Sequence, residues 1–180
     1  MSTPPLPAPV QLREIEAGDL PLINRWRNEP AMVAMLGAGF RYVSSAVDEA
    51  WYAAYIASRA NNVRLAILDP GGRMIGVVYL LHIDWTTRDA EFAIWIAETQ
   101  SQGQSFGERA TRLAIEHAFR DLCLERVHLA VLEHNERAIA LYRKVGFVDE
   151  GTLRRAAFKE GHHCDVRLMG LLRGEYAGPA

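Results

Sequence analysis

The run Arg126 to Leu132 is almost continuously apolar and sits between two stretches with helical spacing. A strand with one wet face alternates polar and apolar residues, whereas a strand covered on both faces does not. The run therefore predicts a buried central strand. Before it, Ala110, Leu113, Ala114, Ala118 and Leu122 recur at helical spacing within Glu108–Leu122. After it, Asn135 opens a helix that passes through Tyr142 and Lys144 and stops at Gly146, the usual residue just past a helix end.

The remaining segments arrange themselves around that strand. Gln11 to Glu16 alternates and reads as a first strand. Asp19 caps a helix with Pro21 in its first turn and Leu22, Ile23 and Trp26 on its apolar face. Asn28-Glu29-Pro30 ends or kinks it, and Gly37 to Gly39 marks a loop. Ser44 or Ser45, followed by Asp48 and Glu49, starts a second helix with Trp51, Tyr55 and Ile56 on one face. Val63–Leu68 and Met74–Ile83 are strands joined by Asp69-Pro70-Gly71-Gly72, a strong turn. Asp84–Asp89 is turn-like, Ala90–Ala97 is a strand, and Gln100–Gly107 is a polar loop. Phe147–Lys159 and His163–Leu172 are strands joined at Glu160-Gly161. The order is β-α-α-β-β-β-α-β-α-β-β, one α/β domain on a mixed sheet of about seven strands with about four helices. Met1–Pro9 holds four prolines and no charge, so residues 1–10 are expected to be a flexible leader, 11–176 the domain and 177–180 a tail.

Composition narrows the function. The 180 residues carry a net charge of −2, which speaks against nucleic-acid binding through bulk positive charge. Two cysteines, Cys123 and Cys164, rule out a disulfide framework and point to a reducing, cytoplasmic setting. The longest apolar run, Ile75 to Leu81, is far short of a bilayer span. His162-His163-Cys164-Asp165 invites a metal reading, but successive strand residues face opposite ways, so no metal is expected.

Chemistry enters at Gln102-Gly103-Gln104-Ser105-Phe106-Gly107, between a strand and a helix. A helix start carries unpaired N–H groups and partial positive charge, and small residues let backbone approach a phosphate. The loop lacks the Gly-Lys-Ser/Thr of a nucleotide-hydrolysing P-loop. Taken with Asn135-x-x-Ala138-x-x-x-Tyr142-x-x-x-Gly146-Phe147, it resembles the GNAT acetyltransferase superfamily. The family's phosphate motif is Arg/Gln-x-x-Gly-x-Gly/Ala; Gln102 and Gly107 match it, and Ser105 replaces its first glycine. Trp26-Arg27-Asn28-Glu29-Pro30, Gly151-x-Leu153-Arg154 and Gly161-x-x-x-Asp165-Val166-x-Leu168-Met169 are similar to the branch acetylating ribosomal proteins, polyamines and amino-sugar nucleotides.

The resemblance implies an acyl-CoA N-acyltransferase fold, splayed between the fourth and fifth strands. It also implies direct acetyl transfer from acetyl-CoA to a primary amine: a protein N-terminus, a polyamine or an amino sugar. An alkyl amine, pKa near ~10.4, must lose a proton before it attacks, and a thiolate, pKa near ~8.5, leaves better if an acid meets it. Tyr142 is the implied acid; a packed aromatic with a satisfied hydroxyl is the competing reading. Glu91 stands eleven residues before Gln102, as in histone-acetylating relatives, and is the candidate base or holder of a basic water; a solvated strand charge competes with that role. Ala130, five before Asn135, removes the base position that some N-terminal acetyltransferases use.

Alternation puts Glu91, Ala93, Trp95 and Ala97 on one face and Phe92, Ile94 and Ile96 on the other, with a bulge near Trp95 expected from the family. Trp95, Ile96 and Ala97 should offer backbone groups to the pantetheine arm. Gln102 to Gly107 should hold the pyrophosphate. Asn135 should bond the pantetheine, cap its helix, or both. Arg143 and Lys144 are candidates for the outer phosphate. His82, His117 and His128 read as packing or surface residues. Trp26–Tyr55 and the Arg154–His163 turn are left to select the acceptor, and Glu14, Glu29, Asp48, Glu49 and Glu91 are the carboxylates a polyamine would seek. A homodimer is compatible with the sequence. The rival function is a non-catalytic acyl-CoA-binding domain on the same fold.

Overall fold

The computed structural model describes residues 10–37, 39–97 and 105–178. Seven strands form one sheet in the order β1-β2-β3-β4-β5-β7-β6: β1 Gln11–Glu14, β2 Val63–Leu68, β3 Met74–Asp84, β4 Asp89–Ile96, β5 Arg126–Leu132, β6 Val148–Lys159 and β7 His162–Leu172. All neighbours are antiparallel except β4 and β5, which run parallel. The helices are α1 Leu20–Arg27, α2 Pro30–Val33, α3 Ser45–Ala57, α4 Phe106–Glu116 and α5 Glu136–Val145. There is one more helix than the sequence suggested, because Pro30 starts a fresh turn. At the first helical position its missing N–H costs nothing.

Each face of the sheet carries its own core. Phe92, Ile94 and Ile96 of β4 pack with Ala110, Ala114 and Ile115 of α4 and with Ile139, Tyr142 and Val145 of α5. Trp95 and Ala97 pack with Ile23 and Trp26 of α1 and Tyr55 of α3. The alternation along β4 thus holds to its end. The expected bulge near Trp95 is absent: pairing with β3 is unbroken from Gly76↔Ile96 to Leu81↔Glu91. Gly76 permits this close register, since a Cβ there would lie 2.3 Å from the Trp95 carbonyl oxygen.

Local chemistry sets the turns. Asp69 Oδ1 accepts from the Gly71 and Arg73 amides at 2.9 and 3.0 Å, and Gly72 takes φ 79°. Asn135 caps α5, its Oδ1 accepting from the Ala138 amide at 3.2 Å, and Gly146 ends it at φ 119°. Two acids read as part of helix starts, Asp19 as a cap and Asp48 after Ser44 or Ser45, do other work. Asp19 bonds Arg13 twice at 2.7 Å, and Asp48 is fully buried, where it accepts from Asn24 and pairs with Arg27. Val10, expected in the leader, is a buried member of the main core. Met1–Pro9 lie outside the described residues.

Ser105 precedes α4 in the left-handed region, φ 60° and ψ 12°, and its side chain makes no capping bond. A non-glycine residue there is strained, and glycine is not. Ser105→Gly should therefore stabilise the protein by about 0.5–1 kcal/mol, the relief exceeding glycine's extra chain entropy. Thermal unfolding should shift up by about 2 °C. A lowered melting temperature would mean that the serine side chain contributes something its geometry does not reveal.

Candidate active site

Strands β4 and β5 are paired only where Asp89, Ala90 and Glu91 meet Arg126, Val127 and His128. Beyond that, β4 follows β3 as far as Ile96, while β5 follows β7 as far as Leu132. A wedge opens between them, as the resemblance implied. Its walls are less covered than a central strand should be: Ile94 and Ile96 are only half-buried and Ala130 is exposed. The Ala97 N–H donates to the Ile75 carbonyl at 2.9 Å. By strand alternation the backbone groups of Trp95 and Ala97 face β3, and those of Phe92, Ile94 and Ile96 face the wedge. Of the three residues expected to meet pantetheine, Ile96 alone turns its backbone toward the wedge. Ile94 joins it, because without a bulge the parity never changes.

Tyr142 comes to the wedge from the α5 side. It is buried, its ring 6.1 Å from Phe92 and 5.8 Å from Phe147. Its hydroxyl makes no hydrogen bond among the described residues, which disfavours the satisfied-hydroxyl alternative. Burial pushes its pKa up to about 12, so the phenol keeps its proton at neutral pH.

Glu91 is the last β4 residue paired with β5, on the face opposite Tyr142's core. Its side chain is 40% exposed, and Oε2 lies 3.2 Å from Nδ1 of His82. His128 stands across from it on β5 with Nδ1 buried and unbonded. Sequence reasoning passed over His82. Nothing local marks it, because its approach to Glu91 depends on a bulge in β3 between Leu81 and Asp84.

The phosphate end is described from Ser105 onward; Gln102, Gly103 and Gln104 lie outside the described residues. Phe106 turns its side chain into the main core, which leaves only its backbone for a ligand. Gly107 is where α4 crosses its neighbours: a Cβ would sit 3.3 Å from Leu141 Cδ1 and 3.7 Å from Ile96 Cγ1. Its smallness therefore serves helix packing as well as any phosphate. Lys144 does not stand free for an outer phosphate, since Nζ lies 2.6 Å from Glu108 Oε2. That bond, against the opposing effect of burial and with help from Arg112, holds the Glu108 carboxyl below its ordinary range. Arg143 is likewise engaged, 2.8 Å from Asp149.

Asn135 uses both ends of its amide within the protein. Beyond the cap, Nδ2 donates to the Met35 carbonyl at 3.2 Å. Lys159, buried near the β6–β7 turn, donates to the Val33 carbonyl at 3.1 Å. Three distant segments (α2 with the turn after it, the start of α5 and the last hairpin) thus meet. The carboxylates fare differently from expectation. Glu14 is taken by Arg59 and Tyr55, and Asp48 by Arg27, which removes both as docking charges. Glu29 and Glu49 make no ion pair among the described residues, and Glu91 has only His82. Of the His-His-Cys-Asp run, His163 packs edge-on against Phe158 and Asp165 accepts from the Arg155 amide. No helix among the described residues is long and apolar enough to cross a membrane.

Comparison with known proteins agrees with this geometry. Residues 10–148 match the model of the acetyltransferase (GNAT) domain. The spermidine N(1)-acetyltransferase of Vibrio cholerae is 32% identical over 92% of this chain and 94% of its own. That of Escherichia coli K12 is 30% identical over 93% and 88%. The putative ribosomal N-acetyltransferase YdaF of Bacillus subtilis is 33% identical, over 59% and 58%. The crystal structure of the V. cholerae enzyme in complex with CoA and spermine superposes with TM-score 0.87, covering 93% of this chain and 97% of that one. A family model that spans most of the chain, together with near full-length relatives of the same activity, shows that the chain belongs to the GNAT family and is an acetyl-CoA-dependent N-acetyltransferase.

Proposed function

We propose that this protein acetylates a polyamine amino group, with Glu91 receiving the amine's proton, directly or through water, and Tyr142 supplying one to the departing thiolate. The observation that carries the proposal is the placement of these two side chains beside one wedge, which opens immediately beyond Glu91. The polyamine reading is supported by near full-length likeness to two spermidine acetyltransferases.

Bonds and protons balance in one sequence. The ammonium loses one proton to the Glu91 side, and the free amine attacks the thioester carbon to form the carbon–nitrogen bond. The carbon–sulfur bond breaks and the thiolate takes the Tyr142 proton. The amide nitrogen then sheds its second proton, which returns through water to the tyrosinate. The backbone N–H of Ile94 points to where an extended, amide-rich pantetheine arm can add to β4 like a strand. An N–H so placed also stabilises negative charge on the thioester oxygen. Glu108 and Lys144 form the rim at the start of α4, so an arriving phosphate must draw Lys144 from Glu108. The acceptor enters from the side walled by α2 and the last hairpin, whose contacts at Val33 and Met35 bring those segments together.

Acceptor class is tested by thiol release over a panel of spermidine, spermine, butylamine, glucosamine and a short peptide with a free N-terminus. Spermidine or spermine should exceed the other amines at least tenfold in kcat/KM. A peptide that outpaces both polyamines would overturn the polyamine reading and favour a role like that of the ribosomal relative. Tyr142→Phe tests the acid. Turnover should fall by roughly 10²–10⁴ with the KM for acetyl-CoA little changed. The same variant has a pH signature. The buried phenol titrates near 12, against about 10 when unfolded, so native stability is lost as pH rises from 10 to 12. Denaturant unfolding of Tyr142→Phe should show a shallower loss over that window. A fast Tyr142→Phe enzyme would remove the tyrosine from the chemistry.

A further inference from the structure

Between Leu81↔Glu91 and Asp84↔Asp89, two β3 residues, His82 and Ile83, lie opposite Ala90 alone. That extra residue is a bulge, a device that re-aims a side chain. Leu81 sits directly across from Glu91, so in a regular strand the next side chain would point to the opposite face. Instead His82 takes a left-handed φ of 52°, and its Nδ1 comes to 3.2 Å from Glu91 Oε2. The conformation is one that glycine adopts freely and histidine does not. Ile83, the other residue of the bulge, is buried in the main core, which anchors the backbone that carries His82.

We infer that His82 is a positioning residue: its Nδ1–H donates to Glu91 Oε2 and so fixes the carboxylate with Oε1 turned out to receive the proton of the acceptor amine. This rests on the reading of Glu91 as base. Among the described residues Oε1 makes no hydrogen bond. The other titratable groups around it are His128 across on β5 and Asp89 two residues back on β4; Arg126 is engaged with Glu150. With His82 three-quarters exposed, the imidazole also lies between Glu91 and bulk water, where the proton must finally go. The transfer breaks the amine N–H bond, leaves its electron pair on nitrogen and forms an O–H bond at Glu91.

The test compares His82→Gly, His82→Asn, Glu91→Gln and the His82→Gly/Glu91→Gln pair by steady-state thiol release, with spermidine as acceptor. Glycine fits the left-handed backbone, so His82→Gly should melt no lower than the native protein while kcat falls about tenfold and the KM for acetyl-CoA holds. Asparagine tolerates the same backbone and presents an N–H close to where Nδ1 stood, so it should restore most of the rate. In the Glu91→Gln background, His82→Gly should cost nothing more. A native rate for His82→Gly beside a slow Glu91→Gln enzyme would overturn the role of His82 while leaving the base in place. So would multiplying losses in the double variant. A fast Glu91→Gln enzyme would instead overturn the reading of Glu91 on which the inference rests.

Discussion

The pairing of β4 with β5 stops after Glu91 and His128, and the rest of the molecule is arranged around that stop. Parallel neighbours normally continue their ladder, because an unpaired backbone group in an interior is costly. Here each strand is held on its outer side beyond the seam, β4 by β3 from Glu91 to Ile96 and β5 by β7 as far as Leu132. The sheet is therefore two firm wings joined by a short parallel seam. The backbone groups that would continue the ladder at Ile94 face a space open enough to leave that side chain half-buried. A molecule built of extended amides can take the place of the missing strand segment.

Around the seam the two cores divide the labour. The α4–α5 side brings the start of a helix and the buried Tyr142, whose environment keeps its phenol protonated. The α1–α3 side brings Glu91, half-exposed and held by His82. An acid kept dry and a carboxylate kept wet, on opposite faces of one gap, suit a reaction that must take a proton from an amine and return one to a thiolate. The α2 segment, the start of α5 and the last hairpin are tied by hydrogen bonds at the acceptor's side.

Much of this was legible in the residues. The apolar run at Arg126–Leu132, the cap at Asn135 and the stop at Gly146 place β5 and α5 without a structure, because each signal is local and strong. Tyr142 follows from the family resemblance that Asn135 to Phe147 carries, with its spacing in the helix only compatible with that role. The phase of β4 also follows from alternation, but the family's bulge, carried over to Trp95, would have aimed the wrong amides at the gap. What the residues did not reveal depends on long-range register. Asp48 resembles a helix-start acid and is instead a buried partner of Arg27, twenty-one positions away. Lys144 and Arg143 look like phosphate-seeking cations until Glu108 and Asp149 are seen beside them. His82 reads as a surface histidine because its approach to Glu91 exists only through a bulge. Ser105 is the converse: a departure from the family's glycine that keeps the left-handed backbone glycine would adopt.

The claim that the open seam is the coenzyme's seat is tested most directly by amide hydrogen exchange at Ile94, measured with and without saturating coenzyme A. If the pantetheine arm adds to β4 as a strand, the Ile94 amide should exchange at least tenfold more slowly in the complex, while the Trp95 and Ala97 amides, already bonded toward β3, should change little. Unchanged exchange at Ile94, with calorimetry showing the coenzyme bound, would contradict the account and move the binding site elsewhere.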